Sequence, residues 1–265
     1  MTDWLTITPG DAPLIVSIPH AGTDVPDDIA GALQSLPLAR HDADYHVDRL
    51  YAFAADMGAT IVRTAISRTV IDVNRDPSGA SLYPGQTTTG LCPTACFDGA
   101  SLYKPGHAPD EAEIGRRRMR YFDPYHAALS AEIERLRRSH SAVVLYDTHS
   151  ILSRITRLFD GELPQFNIGS FGGLSCSVDL TAAVESACEG YSYIVNGRFK
   201  GGWITRHYGN PANRVHAIQM ELAMRGYLDE AGPWPPEWNA ARATPLQPTL
   251  QNILAACLTF AKDAP

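Results

Sequence analysis

SAVVLYDTHS, residues 141–150, decides how the rest of the chain is read. Ala142, Val143, Val144, Leu145 and Tyr146 form a short apolar, β-rich run of strand length, which predicts a buried strand. The run is expected to stop at Asp147, leaving Asp147, Thr148, His149 and Ser150 just past its carboxyl end. Ligands of α/β sheets sit at that place. A carboxylate, a hydroxyl and an imidazole clustered there mark either a site of chemistry or a loop with an Asp cap and a surface histidine.

Working outward, strand-like and helix-like segments alternate. Residues 5–8 and 13–19 predict the first strands, and the second of these, PLIVSIP, runs straight into His20-Ala21-Gly22. A short helix is expected over 26–33. A longer one is expected over 44–57, where Val47, Leu50, Tyr51 and Ala54 repeat at helical spacing and Gly58 closes the C-terminus. Residues 60–66 and 69–73 are β-rich. Residues 76–106 are rich in Gly, Pro, Thr and Ser; with Tyr83, Phe97 and Tyr103 among them, they predict an ordered active-site flap rather than a linker. A charged helix over 110–122 precedes a second helix opened by Asp123-Pro124 and ending near Arg138. Beyond the central strand come strands at 166–170, 191–196 and 215–222, a helix over 178–189, a glycine-broken stretch at 197–211, and a last helix over 248–261. This alternation predicts a single α/β domain over residues 1–265, a mostly parallel sheet with helices on both faces.

The 265 residues carry a net charge of −7, which gives no general attraction for nucleic acid or an anionic membrane. A small anionic substrate would need a local basic pocket. The five cysteines are odd in number. Cys92 and Cys96 have loose metal-site spacing, but no second Cys/His pair follows closely, so all five are expected to be free thiols in a reducing compartment. No basic segment precedes an apolar stretch, and no run approaches membrane-spanning length, so a soluble cytoplasmic protein is expected. Nothing predicts an oligomer.

Two histidines, His20 and His149, each directly follow a buried strand and each have an acid nearby. In a parallel sheet both would lie on one edge, which suggests a metal site. A catalytic zinc takes three protein ligands and keeps a fourth position for water. Asp44 and Asp48 stand four apart and would share a helix face. Asp44, at the helix mouth, is the preferred acid; Asp48 reads better as a first-turn acid favoured by the helix dipole, with His41 and His46 as substitutes. Asn74 and Arg75 are expected to end a strand, where a guanidinium beside an amide suits a carboxylate. Arg68 and Asp72 can form a structural ion pair. On the strand at 215–222, alternation puts Gln219 and Glu221 on one face. A carboxylate ending an apolar strand is costly to bury alone, so Glu221 is either a general base with a raised pKa or a side chain reaching solvent.

These residues carry a resemblance. PHAG at 19–22, DADYHVDRLY at 42–51, SRTVIDVNRDPSG at 67–79, LYPGQ at 82–86, DTHS at 147–150, FNIG at 166–169, KGGWITRHYG at 200–209 and QME at 219–221 together resemble the N-formylglutamate amidohydrolase family. The likeness spans nearly the whole chain. It implies a zinc carboxypeptidase-like (phosphorylase/hydrolase-like) fold, with a parallel or mixed sheet. It further implies one zinc ion on His20, Asp44 and His149, with Glu221 as base and Arg68 at the oxyanion. Asn74, Arg75, Arg206 and Lys200 would hold the substrate carboxylates. The implied reaction is hydrolysis of N-formyl-L-glutamate to L-glutamate and formate, the last step of a histidine-degradation route. Asp147 is expected to orient an imidazole or cap its loop.

Overall fold

The computed structural model describes residues 4–263. Among the described residues seven strands form one sheet: β1 (Leu5–Thr8), β2 (Leu14–Ile18), β3 (Thr60–Thr64), β4 (Val143–Ile151), β5 (Phe166–Gly169), β6 (Tyr193–Val195) and β7 (Val215–Ala223). Their spatial order is β1-β3-β2-β4-β7-β5-β6. The four central strands β3, β2, β4 and β7 are mutually parallel, while β1 and β5 join antiparallel. The sheet is therefore mixed.

Helices α1 (Asp27–Ala30), α2 (Leu36–Ala39), α3 (Val47–Leu50), α4 (Glu111–Arg117), α5 (Asp123–Arg137), α6 (Val178–Ala187), α7 (Trp203–Tyr208) and α8 (Ala240–Asp263) surround it. The α5 residues Tyr125, Leu129, Ile133 and Leu136 recur every three or four positions and pack with Val143 and Leu145 on one face of the sheet. α3, α6 and α8 cover the other face, against Val144, Tyr146 and Ile218. With both faces covered, every residue of β4 is buried, which explains its continuous apolar start. Each fully buried Leu or Val contributes about 1.5–3 kcal/mol of transfer free energy, so this slab is what fixes the sheet.

Several expectations need correction. β4 does not stop at Asp147; it continues through Ile151, because β7 runs alongside and pairs with every residue of that extension. The stretch 69–73 is not a strand, so Asn74 and Arg75 do not end one. β3 already has β1 and β2 as neighbours, and the Val70 and Asp72 N–H groups donate instead to Ser67 O and Leu91 O. The helix expected over 44–57 is broken into single turns: His46 has a left-handed backbone (φ 61°), so Asp44 lies outside α3. Its apolar stripe Val47, Leu50, Tyr51 and Ala54 is nonetheless wholly buried, and Gly58 ends it at φ 76°. Asp123 opens no new helix, since a π-turn over Arg118–Phe122 carries α4 continuously into α5. The glycine-broken stretch contains α7, and α8 starts eight residues earlier than expected, with Pro245 and Pro248 inside its first turns. Residues 76–106 have neither helix nor strand, and Tyr83, Thr89 and Phe97 among them lie at the carboxyl end of the sheet beside His20 and His149.

Candidate active site

Parallel packing of β2 beside β4 brings the two strand-end histidines together. His20 follows β2 by two residues, His149 lies in β4, and their Nδ1 atoms are 3.1 Å apart. Asp44 reaches the same point from the turn before α3, pinned there because its N–H donates to His20 O (2.9 Å). Its Oδ2 stands 3.2 Å from His149 Nδ1 and 3.8 Å from His20 Nδ1. All three side chains are at most 3 % exposed.

The outer nitrogens are held just as firmly. His20 Nε2 donates to Asp72 Oδ1 at 2.7 Å, and His149 Nε2 to Asp147 Oδ2 at 2.9 Å. With Nε2 protonated on both rings, the two Nδ1 atoms converge on Asp44, and among the described residues its Oδ1 has no hydrogen-bond donor, Arg68 Nη1 standing 3.7 Å away. Two imidazole lone pairs and a carboxylate meeting in a buried centre, with an orphaned oxygen among them, fit a metal ion. Asp147 orients an imidazole as expected. Asp72, read from the sequence as an ion-pair partner of Arg68, serves His20 in the same way.

The alternatives to Asp44 point elsewhere. Asp48 is ion-paired with Arg63, His46 Nε2 donates to Pro236 O (2.9 Å), and His41 pairs with Asp42. Charge follows this geometry. Burial, reinforced by Arg68, lowers the His20 pKa below 6.5. Burial also opposes charge on His149, but Asp147 and Asp44 outweigh it and hold its pKa well above that value. Asp72 resists its burial through His20, Arg68 and Arg75, which keep it well below the ordinary carboxylate range.

Register places the base. His149 pairs with Glu221 on β7, so the two side chains share a face. Glu221 is 7 % exposed, and its pKa is pushed up to about 8, chiefly by burial and by Asp44 and Asp147 against the pull of His149 and Arg68.

A cleft of about 630 Å³, counting its open mouth, lies over this centre. Its walls include Arg68, Arg75 and Asn74. Arg68 Nη2 donates to Asp72 Oδ2 (2.7 Å), and its guanidinium lies 4.6 Å over the Phe97 ring. Arg75 donates to Thr89 and lies 3.5 Å from Asp72. The Asn74 amide is largely committed: Nδ2 donates to Asp147 Oδ2 (3.0 Å) and Oδ1 accepts from Ile204 N–H (2.7 Å). Gly202 is required beside it, since a Cβ there would stand 2.4 Å from the Asn74 amide nitrogen.

Arg206 and Lys200 are not brought to the cleft. Arg206 donates to Leu82 O and Gly201 O and stacks on Tyr83 and Phe171, tying the flap down, while Lys200 is exposed to solvent. Arg157 and Arg198 line it instead. Among the described residues neither has a carboxylate partner; they donate only to backbone oxygens of Cys96, Phe97, Leu158 and Thr87. Neither has a periodic signal in the sequence, since Arg157 sits in an irregular turn and Arg198 in the glycine-broken stretch.

The chain has full-length relatives among known proteins. The chain is 42 % identical over 266 aligned residues to an N-formylglutamate deformylase of Pseudomonas putida, covering 99 % of this chain and 98 % of that one. It is 40 % identical to the N-formylglutamate deformylase of Pseudomonas aeruginosa, over 99 % of each. The crystal structure of N-formylglutamate amidohydrolase from Ralstonia eutropha JMP134 superposes with a TM-score of 0.81 at 28 % identity, covering 99 % of both chains. A gene product of Agrobacterium tumefaciens shares the fold at 18 % identity, with a TM-score of 0.73 over 97 % of this chain and 95 % of that one. The N-formylglutamate amidohydrolase family model matches residues 12–228, and with these full-length likenesses the chain belongs to that family of amide-cleaving enzymes.

Proposed function

We infer that the protein hydrolyses N-formyl-L-glutamate to L-glutamate and formate, using one zinc ion held by His20, Asp44 and His149. The observation that carries this reading is the pairing, in one cleft, of that buried centre with two guanidiniums, Arg157 and Arg198, that lack carboxylate partners. The substrate has two carboxylates and one amide, which is what such a cleft accommodates. The reaction completes a histidine-degradation route, in a cytoplasmic setting. No helix among the described residues is long and apolar enough to cross a membrane.

When bound, zinc supplies a Lewis acid that lowers the pKa of water to roughly 7 and polarises a carbonyl oxygen. Glu221 accepts the proton of the attacking water as oxygen adds to the formyl carbon, then gives it to the amine nitrogen as the C–N bond breaks. Arg68, fixed by Asp72, faces the developing negative charge. Arg157 and Arg198, with Arg75 beside them, hold the carboxylates. Asn74 keeps Asp147 against His149. Tyr83, Thr89 and Phe97 of the flap shield the cleft from bulk water.

The test is glutamate release from N-formylglutamate by metal-replete and chelator-stripped protein, with N-formylaspartate and N-acetylglutamate alongside. Metal-dependent release, fastest with N-formylglutamate, is expected; release that is equal after stripping would overturn the reading.

A further inference from the structure

Two residues singled out in the sequence have no part in this chemistry: His41 and Cys96, the second thiol of the CPTAC stretch. The fold brings them together. A ring nitrogen of His41, a carboxylate oxygen of Asp42 and Cys96 Sγ all lie within 4.8 Å of one another, His41 and Asp42 from the turn before Asp44 and Cys96 from the long flap. We propose that His41, Asp42 and Cys96 form a second divalent-cation site, separate from the His20–Asp44–His149 centre and suited to a borderline-soft ion such as zinc.

The donor set argues for that class of ion. Calcium and magnesium take oxygen ligands, whereas a thiolate with an imidazole and a carboxylate suits zinc and its congeners. Three protein ligands leave a fourth position to water. The set is also preorganised. Asp42 Oδ2 accepts from Phe97 N–H at 2.7 Å and Oδ1 lies 2.9 Å from His41 Nδ1, which fixes the carboxylate while each oxygen keeps a lone pair. The His41 ring is held by Trp234, 5.2 Å away between centroids. Cys96 Sγ donates weakly to Leu38 O at 3.6 Å, a contact that binding would replace; burial, with Asp42 and Asp98, pushes the free thiol up to about 12, which the charge of the cation must offset. Cys96 is 1 % exposed, but the side chains of His41 and Asp42 are 31 % and 10 % exposed, so an ion can enter from that side.

Binding breaks the Cys96 S–H bond, forms the metal–sulfur bond and releases one proton to solvent; no electron is transferred. The position gives the ion a structural consequence. Cys96 adjoins Phe97, whose ring carries Arg68 at the cleft wall, and Asp42 stands two residues before Asp44. A cation there clips the flap to the turn that delivers the acidic ligand of the first centre.

Cobalt(II) separates the two sites, because the first centre contains no sulfur. Chelator-stripped protein titrated with cobalt should take up two equivalents and develop a thiolate-to-cobalt charge-transfer band in the near ultraviolet. Cys96→Ser should lose the band and fall to one equivalent. In His41→Ala the band should need at least about ten times more cobalt, a second readout that stands if the Ser variant folds poorly. Uptake of a single equivalent with no band, a band that survives Cys96→Ser, or one unmoved in His41→Ala would overturn the site. These outcomes do not depend on whether N-formylglutamate is the substrate.

Discussion

Replacing Asp147 by Asn separates the charge behind His149 from its hydrogen bond. Asp147 is fully buried and accepts from Ser17 Oγ (2.9 Å) on one oxygen and from Asn74 Nδ2 (3.0 Å) and His149 Nε2 (2.9 Å) on the other. An Asn side chain can keep its oxygen toward Asn74 and His149 and turn its amide nitrogen toward Ser17. That hydroxyl can accept, since Tyr125 OH lies 3.0 Å away to receive or supply the hydrogen. The geometry survives and the negative charge is lost. Changes of this kind behind a metal-bound imidazole cost about 10–100-fold in metal affinity, or about 1.4–2.7 kcal/mol. Ser17→Ala is the matched control, losing the buried hydrogen bonds to Asp147 and Tyr125, each worth about 0.5–1.5 kcal/mol, while leaving the carboxylate on His149. Zinc affinity by chelator competition, with denaturant midpoints for both variants, reads the two effects apart. Asp147→Asn should lose metal affinity and Ser17→Ala should lose stability alone. If Asp147→Asn held zinc as tightly as the native chain, or if Ser17→Ala lost as much, Asp147 would be only a packing residue.

Other expectations are more direct. Glu221→Gln should keep zinc at full stoichiometry and lose about 10²–10⁴-fold in kcat; near-native turnover would remove Glu221 from the base role. Arg157→Ala and Arg198→Ala should each raise KM for N-formylglutamate, and at least one of them far more than for an N-formyl amino acid with one carboxylate, whereas Lys200→Ala should leave both unchanged; equal losses on both substrates in both variants would show that neither arginine meets the side-chain carboxylate. Burial lowers the His126 pKa to about 4, with Val73 O accepting from its Nε2. Above pH 6.5 the imidazole is neutral folded or unfolded. Between 6.5 and 4 only the unfolded chain gains the proton, so stability falls through that window by about 3 kcal/mol, at about 1.4 kcal/mol per pH unit. His126→Gln should flatten that part of the stability–pH curve, measured by denaturant unfolding; an unchanged slope would contradict it.

How much of this was legible differs from residue to residue. His20 and His149 stood out because a strand buried on both faces is an unbroken apolar run, so a polar residue at its end is conspicuous in one dimension. Glu221 stood out for the same reason, by strand alternation. Asp44 is favoured over Asp48 by a place at the mouth of a helix, but the chain there forms single turns rather than one helix. The left-handed backbone at His46 is a local conformation that no hydrophobic period encodes, and it is what frees Asp44 to turn toward His149. The 69–73 stretch had β propensity and no free strand edge to pair with. Propensity describes what a segment tolerates, and sheet geometry decides whether a partner exists.

By itself, then, the sequence determined the alternating strands and helices, the buried slab and the polar residues that end its strands. These depend on periodicity and burial, which are properties of neighbours in the chain. Tertiary structure alone decided that β2 lies beside β4 and β4 beside β7, which turns three separate strand ends into one centre. It also decided which arginines face the cleft. Arg157 and Arg198 do, while Arg206 straps the flap to α7, because long flexible side chains on irregular segments point wherever distant loops leave room and acceptors. That information lies in contacts between residues a hundred positions apart, and the linear pattern does not carry it.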